Sequence, residues 1–195
     1  MYLAFDTETT GLEADSQVLT AHFMILDSDL NVVSELNLKI RYPVYHVSVR
    51  ALEINRINLI EHDRTAIDLF DAQNALFKFL NTNRPAFRYI PIGHNIAFDI
   101  AHLKSSCILT VEAQELISTN AIDTLTIAQF LKMCRVIPKQ MQLKLTRLCE
   151  HFDIDTRNAH DSSVDIKMTV ELLKCFKGTV ASDNSVCENK KRKLQ

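Results

Sequence analysis

No apolar stretch of this 195-residue chain approaches the ~18–20 residues needed to cross a bilayer, so no membrane association is expected. A secretory signal is not expected either, because Asp6 interrupts the first apolar run after only a few residues. There is no C-x-x-C pair. Cys107, Cys134, Cys149, Cys175 and Cys187 are odd in number and widely scattered, which argues against a zinc knuckle and a disulfide framework. Reduced, mostly buried thiols in an intracellular protein, cytoplasmic or nuclear, are the expectation. Nor is there an excess of basic residues. A net charge of −2 does not advertise a nucleic-acid binder, although a bound metal can supply positive charge where a phosphate must sit. Without a large basic face, such a ligand would be held with modest affinity over a shallow footprint. Internal repeats are absent as well. What remains, 22.3 kDa with 47% hydrophobic and 24% charged residues, suits one soluble domain with a single sizeable core.

Tyr2 to Phe5 is a short apolar run ending at Asp6, read as a buried strand. Val18 to Leu26 and Val32 to Ile40 alternate as strands do, with Asp27, Ser28 and Asp29 as the turn between them. Ser48 to Asn55 reads as a short helix, and Ala66 to Leu80 has helical apolar spacing. Tyr89 to Ile92 is a fourth strand, and a helix is expected after Gly93-His94-Asn95 with Asn95 as its N-cap. Ala121 to Thr124 ends a fifth strand. Leu125 to Met133, Leu143 to Phe152 and Val164 to Phe176 are further helices. A ribbon of strands followed by alternating strands and helices predicts an α/β sheet of mixed direction. Beyond Gly178 the sequence is polar and aperiodic, so residues 178–195 are expected to be a disordered tail. Its basic cluster Lys190, Lys191, Arg192 and Lys193 reads either as a nuclear address or nucleic-acid handle or as a solvated terminus.

Four acids and one histidine stand out against this background. Asp6 and Glu8 are two apart, so on a strand they leave the same face; a solvent-facing strand end is the plainer alternative. Asp99 follows Asn95 by one helical turn, where the helix dipole alone also favours an acid. His160 and Asp165 are five apart, about 140° around a helix, and could not share a site if both were helical. His160 is therefore placed in a loop, with Asp161 or Ser162 capping the helix that carries Asp165. Carboxylates buried together repel one another unless cations sit between them. An all-oxygen set of this kind selects magnesium or manganese.

The segments FDTETTGL, GHNIAFD and HDSSVD resemble the three exonuclease motifs of the DnaQ-like (DEDD) 3′→5′ exonucleases. The H-x4-D spacing matches the histidine subgroup, since Asp161 stands where the tyrosine subgroup has its tyrosine. The likeness runs through about residues 2–177 and includes Asp123-Thr124-Leu125 and LKLTRLCEHFDI. It implies a ribonuclease H-like mixed five-stranded sheet flanked by helices, with residues 1–177 as the exonuclease domain. It implies two divalent ions, Mg²⁺ or Mn²⁺, held by Asp6, Glu8, Asp99 and Asp165, with Asp99 acting directly or through a water. His160 would be the general base towards the attacking water, and nucleoside 5′-monophosphates the products. Thr7 and Leu12 would cradle the terminal nucleotide, with Asn95 and Phe98 beside it; Phe98 is equally an ordinary core residue. Asn55 stands where the family often has a histidine and would be a further substrate contact.

The partner so implied is a nucleic acid with a free 3′ end, single-stranded, with DNA slightly preferred over RNA. A homodimer or a polymerase or replication partner also follows from the family. Two other readings fit fewer residues. A haloacid-dehalogenase-type phosphatase would use Asp6 with the Asp161 and Asp165 pair, but Glu8 replaces its second aspartate and GHNIAFD has no role. A non-catalytic nucleic-acid-binding module on the same fold would need no metal ligands.

Overall fold

The computed structural model describes residues 1–157 and 159–192, with side chains as far as residue 179. Its sheet has five strands in the order β3-β2-β1-β4-β5. They are β1 (Tyr2–Thr9), β2 (Val18–Leu26), β3 (Val32–Lys39), β4 (Ile90–Gly93) and β5 (Ile122–Asp123). The central strand β1 pairs antiparallel with β2 and parallel with β4, and β4 pairs parallel with β5. The expected mixed sheet is therefore present. β1 runs past its apolar stretch to Thr9, because pairing with β2 continues through Glu8↔Thr20 to Thr9↔Val18.

Period-two alternation along β1 builds the two faces. Leu3 and Phe5, with Phe23 and Ile25 of β2, meet Ala72, Leu76 and Leu80 of helix α3 (Leu69–Thr82) and Ile96 and Leu103 of α4 (Ile96–Ser105). Ala4, Met24 and Ile92 on the other face meet Ile166, Val170 and Leu173 of α8 (Ser162–Arg192). Burying each of those three α8 side chains contributes roughly 1.5–3 kcal/mol, enough to anchor the start of that helix on the sheet. The opposite side of α8, with Met168, Leu172 and Phe176, carries α6 (Thr124–Met133) and α7 (Leu145–His151) through Leu131 and Leu148.

Several expectations need correction. α1 (Val49–Asn55), α6 and α7 lie where helices were expected, but α2 (Leu59–Thr65) and α5 (Val111–Glu115) were not foreseen. α3 starts at Leu69 rather than Ala66, because Ile67 forms a parallel bridge with Ile40 and Asp68 caps the helix by accepting from the Asp71 N–H. Asn95 occupies the N-cap position of α4 but makes no side-chain cap bond there. Its backbone is left-handed, φ 64°, ψ 41°, and its N–H donates to Asp123 Oδ1 at 2.8 Å.

The helical backbone of α8 continues beyond Gly178 to Arg192. Starting a helix is costly and extending one is not, so the packed first turns can propagate it through a polar sequence. The side chains of Lys190, Lys191 and Arg192, and all of Lys193, lie outside the described residues. Among those described, no helix is long and apolar enough to cross a membrane.

Candidate active site

The end of β1 and the first turn of α8 bring three acids together. Asp6 and Glu8 share the face of Ala4, over which α8 packs. Asp165 lies in that helix's first turn. One carboxylate oxygen from each of Asp6, Glu8 and Asp165 lies within 4.8 Å of the others. Asp161 sets where the helix begins, accepting at its carboxylate from the Ser163 N–H at 2.8 Å. A 3.2 Å contact between Thr20 Oγ1 and Ser162 Oγ joins the same turn to β2.

Asp99 approaches from α4, on the other face of the sheet. It is buried, and its Oδ1 accepts from the Thr7 N–H at 3.0 Å and the Thr7 hydroxyl at 2.7 Å. It stands beside the trio rather than within it, yet its charge is the largest electrostatic influence on Asp6 after burial. Thr7 is thus committed to orienting Asp99.

The electrostatics follow from this crowding. Burial, then the charges of Asp99, Asp165, Glu8 and Asp161, hold the Asp6 carboxyl well above the usual carboxylate range. Burial and the neighbouring acids push Glu8 up to about 8. Burial lifts Asp99 to about 7 against the pull of the Thr7 hydrogen bonds. Asp165 is raised by burial too, with the His160 N–H and charge opposing. At 4.8 Å and an effective dielectric of about 20, each ionised pair repels by about 3 kcal/mol. Four carboxyls that resist ionisation alone, offering only oxygen, are a donor set suited to hard divalent cations.

His160 lies in the loop before α8, as its spacing requires. It is exposed, with a left-handed φ of 73°, and its backbone N–H donates to Asp165 Oδ1 at 3.1 Å. The residue is thereby tethered beside the acids through its main chain, and its ring nitrogens have no hydrogen-bond partner among the described residues.

A cleft of about 780 Å³ opens from Glu8 between the β1–β2 turn and α1. Leu12, Tyr45, Arg50, Ile54 and Phe98 contribute to its walls. Leu12 is 81% exposed, while Phe98 stacks on His102 with ring centroids 4.0 Å apart. Thr7 and Asn55 also line it. Asn55 is buried, its amide donating to Thr9 O at 3.2 Å and accepting from the Ile57 N–H at 3.1 Å, so it ties α1 to β1. Asn95 is exposed outside the cleft lining.

Two supporting groups had no role in the sequence reading, which met Asp123 only within Asp123-Thr124-Leu125 and did not single out His22. Asp123 holds the Asn95 N–H and with it the start of α4; its place just before a helix was the available signal. His22 pairs across the sheet with Asp6 and is buried. Its Nε2 lies 3.0 Å from Glu35 Oε2, so Nε2 carries the proton, and Lys167 Nζ lies 3.9 Å from the same oxygen. This network joins β2, β3 and α8 on the acids' face of the sheet. Only strand alternation placed His22 on that face, and its Nδ1 finds no partner among the described residues.

The family model RNase_T, described as an exonuclease, matches residues 3–173. No curated protein matches the sequence. Among solved structures, E. coli Exonuclease I in complex with a dT13 oligonucleotide is similar at 17% identity and a TM-score of 0.73, over 90% of this chain and 40% of that one. The zinc-bound form of the E. coli ExoI–ssDNA complex is similar at 17% identity and a TM-score of 0.72, over 91% and 40%. An ExoI/SSB-Ct complex is similar at 16% identity and a TM-score of 0.70, over 91% and 41%. These likenesses show a shared fold, and the chain spans about 40% of the length of the structures it resembles.

Proposed function

The chain belongs to the RNase_T exonuclease family, and on that premise we propose that it removes nucleotides from the 3′ end of single-stranded nucleic acid as nucleoside 5′-monophosphates. The observation that carries this reading is the convergence of Asp6, Glu8 and Asp165 within 4.8 Å at the mouth of a cleft. These three, with Asp99 beside them, would hold two divalent cations, Mg²⁺ or Mn²⁺. Such ions, when bound, activate water and neutralise the charge that develops on the leaving oxygen.

The chain's own residues do the rest. Thr7 fixes Asp99 by two hydrogen bonds to one oxygen, leaving Oδ2 for the site. His160, tethered to Asp165 through its backbone N–H, takes the proton of the attacking water as general base. Leu12, Ile54 and Phe98 offer apolar surface to the base and sugar of the last nucleotide, and Arg50 offers a cation to its phosphates. Asn55 serves by holding Thr9 in the cleft wall.

Single-stranded DNA is the substrate we favour, in keeping with the dT13 and ssDNA complexes of the E. coli enzymes. A phosphatase reading has no support in a family of exonucleases. The test is shortening of 3′-labelled single-stranded DNA and RNA oligomers with Mg²⁺ or Mn²⁺, against a chelator control. Wild-type protein should shorten them stepwise, and Asp6→Ala should not. Cleavage that survives in Asp6→Ala defeats the assignment, and binding without cleavage by wild type would mark a non-catalytic module.

A further inference from the structure

The far wall of the cleft, residues 44–48, is neither helix nor strand, and Val44, His46 and Val47 are exposed. Something must hold it at a fixed distance from the near wall, Thr9 to Leu12. Beside the direct backbone bond from the Ser48 N–H to Thr10 C=O, one side chain outside the cleft lining does so. Gln17 Nε2 donates to Val44 O at 2.9 Å, and Gln17 Oε1 accepts from the His46 N–H at 2.9 Å. Both partners are backbone groups of one polarity each, so they also fix which end of the amide is which. The two bonds straddle Tyr45, which lines the cleft.

The backbone of Gln17 faces the opposite wall. Its N–H donates to Thr10 Oγ1 at 2.9 Å and its C=O accepts from the Thr10 N–H at 2.9 Å. Thr10 C=O in turn accepts from the Ser48 N–H at 2.8 Å. Gln17 therefore joins the two walls as a missing strand pair would, bonding one through its main chain and the other through its amide.

We propose that Gln17 is a positioning residue that sets the width of the nucleotide cleft, and so governs substrate affinity without touching substrate. The inference rests on the exonuclease reading above. It separates Gln17 from the acids and His160, whose loss removes chemistry, and from Leu12 and Phe98, whose loss removes contact.

The test measures kcat and KM on a 3′-labelled single-stranded DNA oligomer with saturating Mg²⁺, together with inhibition by deoxythymidine 5′-monophosphate. Gln17→Met keeps the side-chain length and deletes both amide bonds. Gln17→Glu keeps the acceptor for His46 but sets a carboxylate oxygen against Val44 O. In both variants KM and the inhibition constant for the monophosphate should rise about tenfold, the factor expected for loss of one or two ordinary hydrogen bonds. The kcat should stay within about twofold, since no group at the acids is altered. Gln17→Glu covers the case in which Gln17→Met fails to fold. Unchanged KM and inhibition constant overturn the inference while leaving the exonuclease reading intact, as does a fall in kcat that tracks a fall in Tm. A wild-type protein that degrades no oligomer overturns both.

Discussion

Neutralising Glu8 should stabilise the metal-free protein while abolishing its activity. The Glu8 carboxyl is pushed from its ordinary 4.5 to about 8 by burial and by Asp165, Asp161 and Asp99. Between those values the folded chain keeps a proton that the unfolded chain has released. The raised group therefore contributes its full stability below pH 4.5, and that stability drains away as the pH rises through 8. At about 1.4 kcal/mol per pH unit, the whole displacement corresponds to about 5 kcal/mol. Glu8 is only half-buried and shares its repulsion with three other acids, so a discounted 1–3 kcal/mol, on the order of half that figure or less, is the expectation for one substitution. For a domain of this size about 1 kcal/mol moves Tm by roughly 2–4 °C.

Glu8→Gln should therefore raise Tm by about 3–10 °C at pH 8 in EDTA, and by little at pH 4.5. Millimolar Mg²⁺ or Mn²⁺ should reverse the order, because the wild type gains the cations and the variant binds them poorly. Thermal unfolding followed by circular dichroism across pH 4.5–8, with chelator and with metal, reads all of this. If wild-type Tm in EDTA rises with pH, or if Glu8→Gln is the less stable protein at pH 8 without metal, the account of a strained acidic cluster is wrong.

His160→Asn, chosen because asparagine tolerates the left-handed backbone at φ 73°, should cost about 10²–10⁴-fold in kcat. Its Tm should hardly move, since the bond to Asp165 comes from the main chain. Thr7→Val removes the hydroxyl bond that lowers the Asp99 pKa, so the acid limb of the pH profile of kcat/KM should shift to higher pH, with Thr7→Ser restoring it. Asn95→Val should lose about 1–2 kcal/mol of stability by placing a branched side chain at φ 64°, whereas Asn95→Gly should unfold near the wild-type temperature; calorimetry distinguishes them.

The acids were legible in the sequence because strand and helix periods govern which side chains share a face. A separation of two puts Asp6 and Glu8 on one strand face, and a shared site with Asp165 would force His160 off the helix, but their grouping came from the likeness to the exonuclease motifs. What Asp99 does with Thr7 was not legible, because the pair is separated by 92 positions and only the assembled sheet brings α4 against β1. Asn95 was found in the right place with the wrong bond. A capping residue and a left-handed residue are both favoured as asparagine, and only the Asp123 carboxylate decides between them. The extent of β1 to Thr9 was not fixed by the sequence, since Thr7 to Thr9 has no apolar rhythm and its pairing comes from β2. α5, five residues long, is too short for periodicity to announce, and the seven-residue α2 has only the adjacent Leu59 and Ile60 as apolar residues, which show no period.

The order in which a ribosome emits this chain bears on when the acids can work. β1 precedes the other strands of the sheet along the chain and is its middle strand, yet its carboxylates acquire their third companion only when the first turn of α8 docks on the same face. Contacts so distant along the chain close late. A nascent polypeptide that stops short of Asp165 could own a sheet and a cleft without owning a cutting centre.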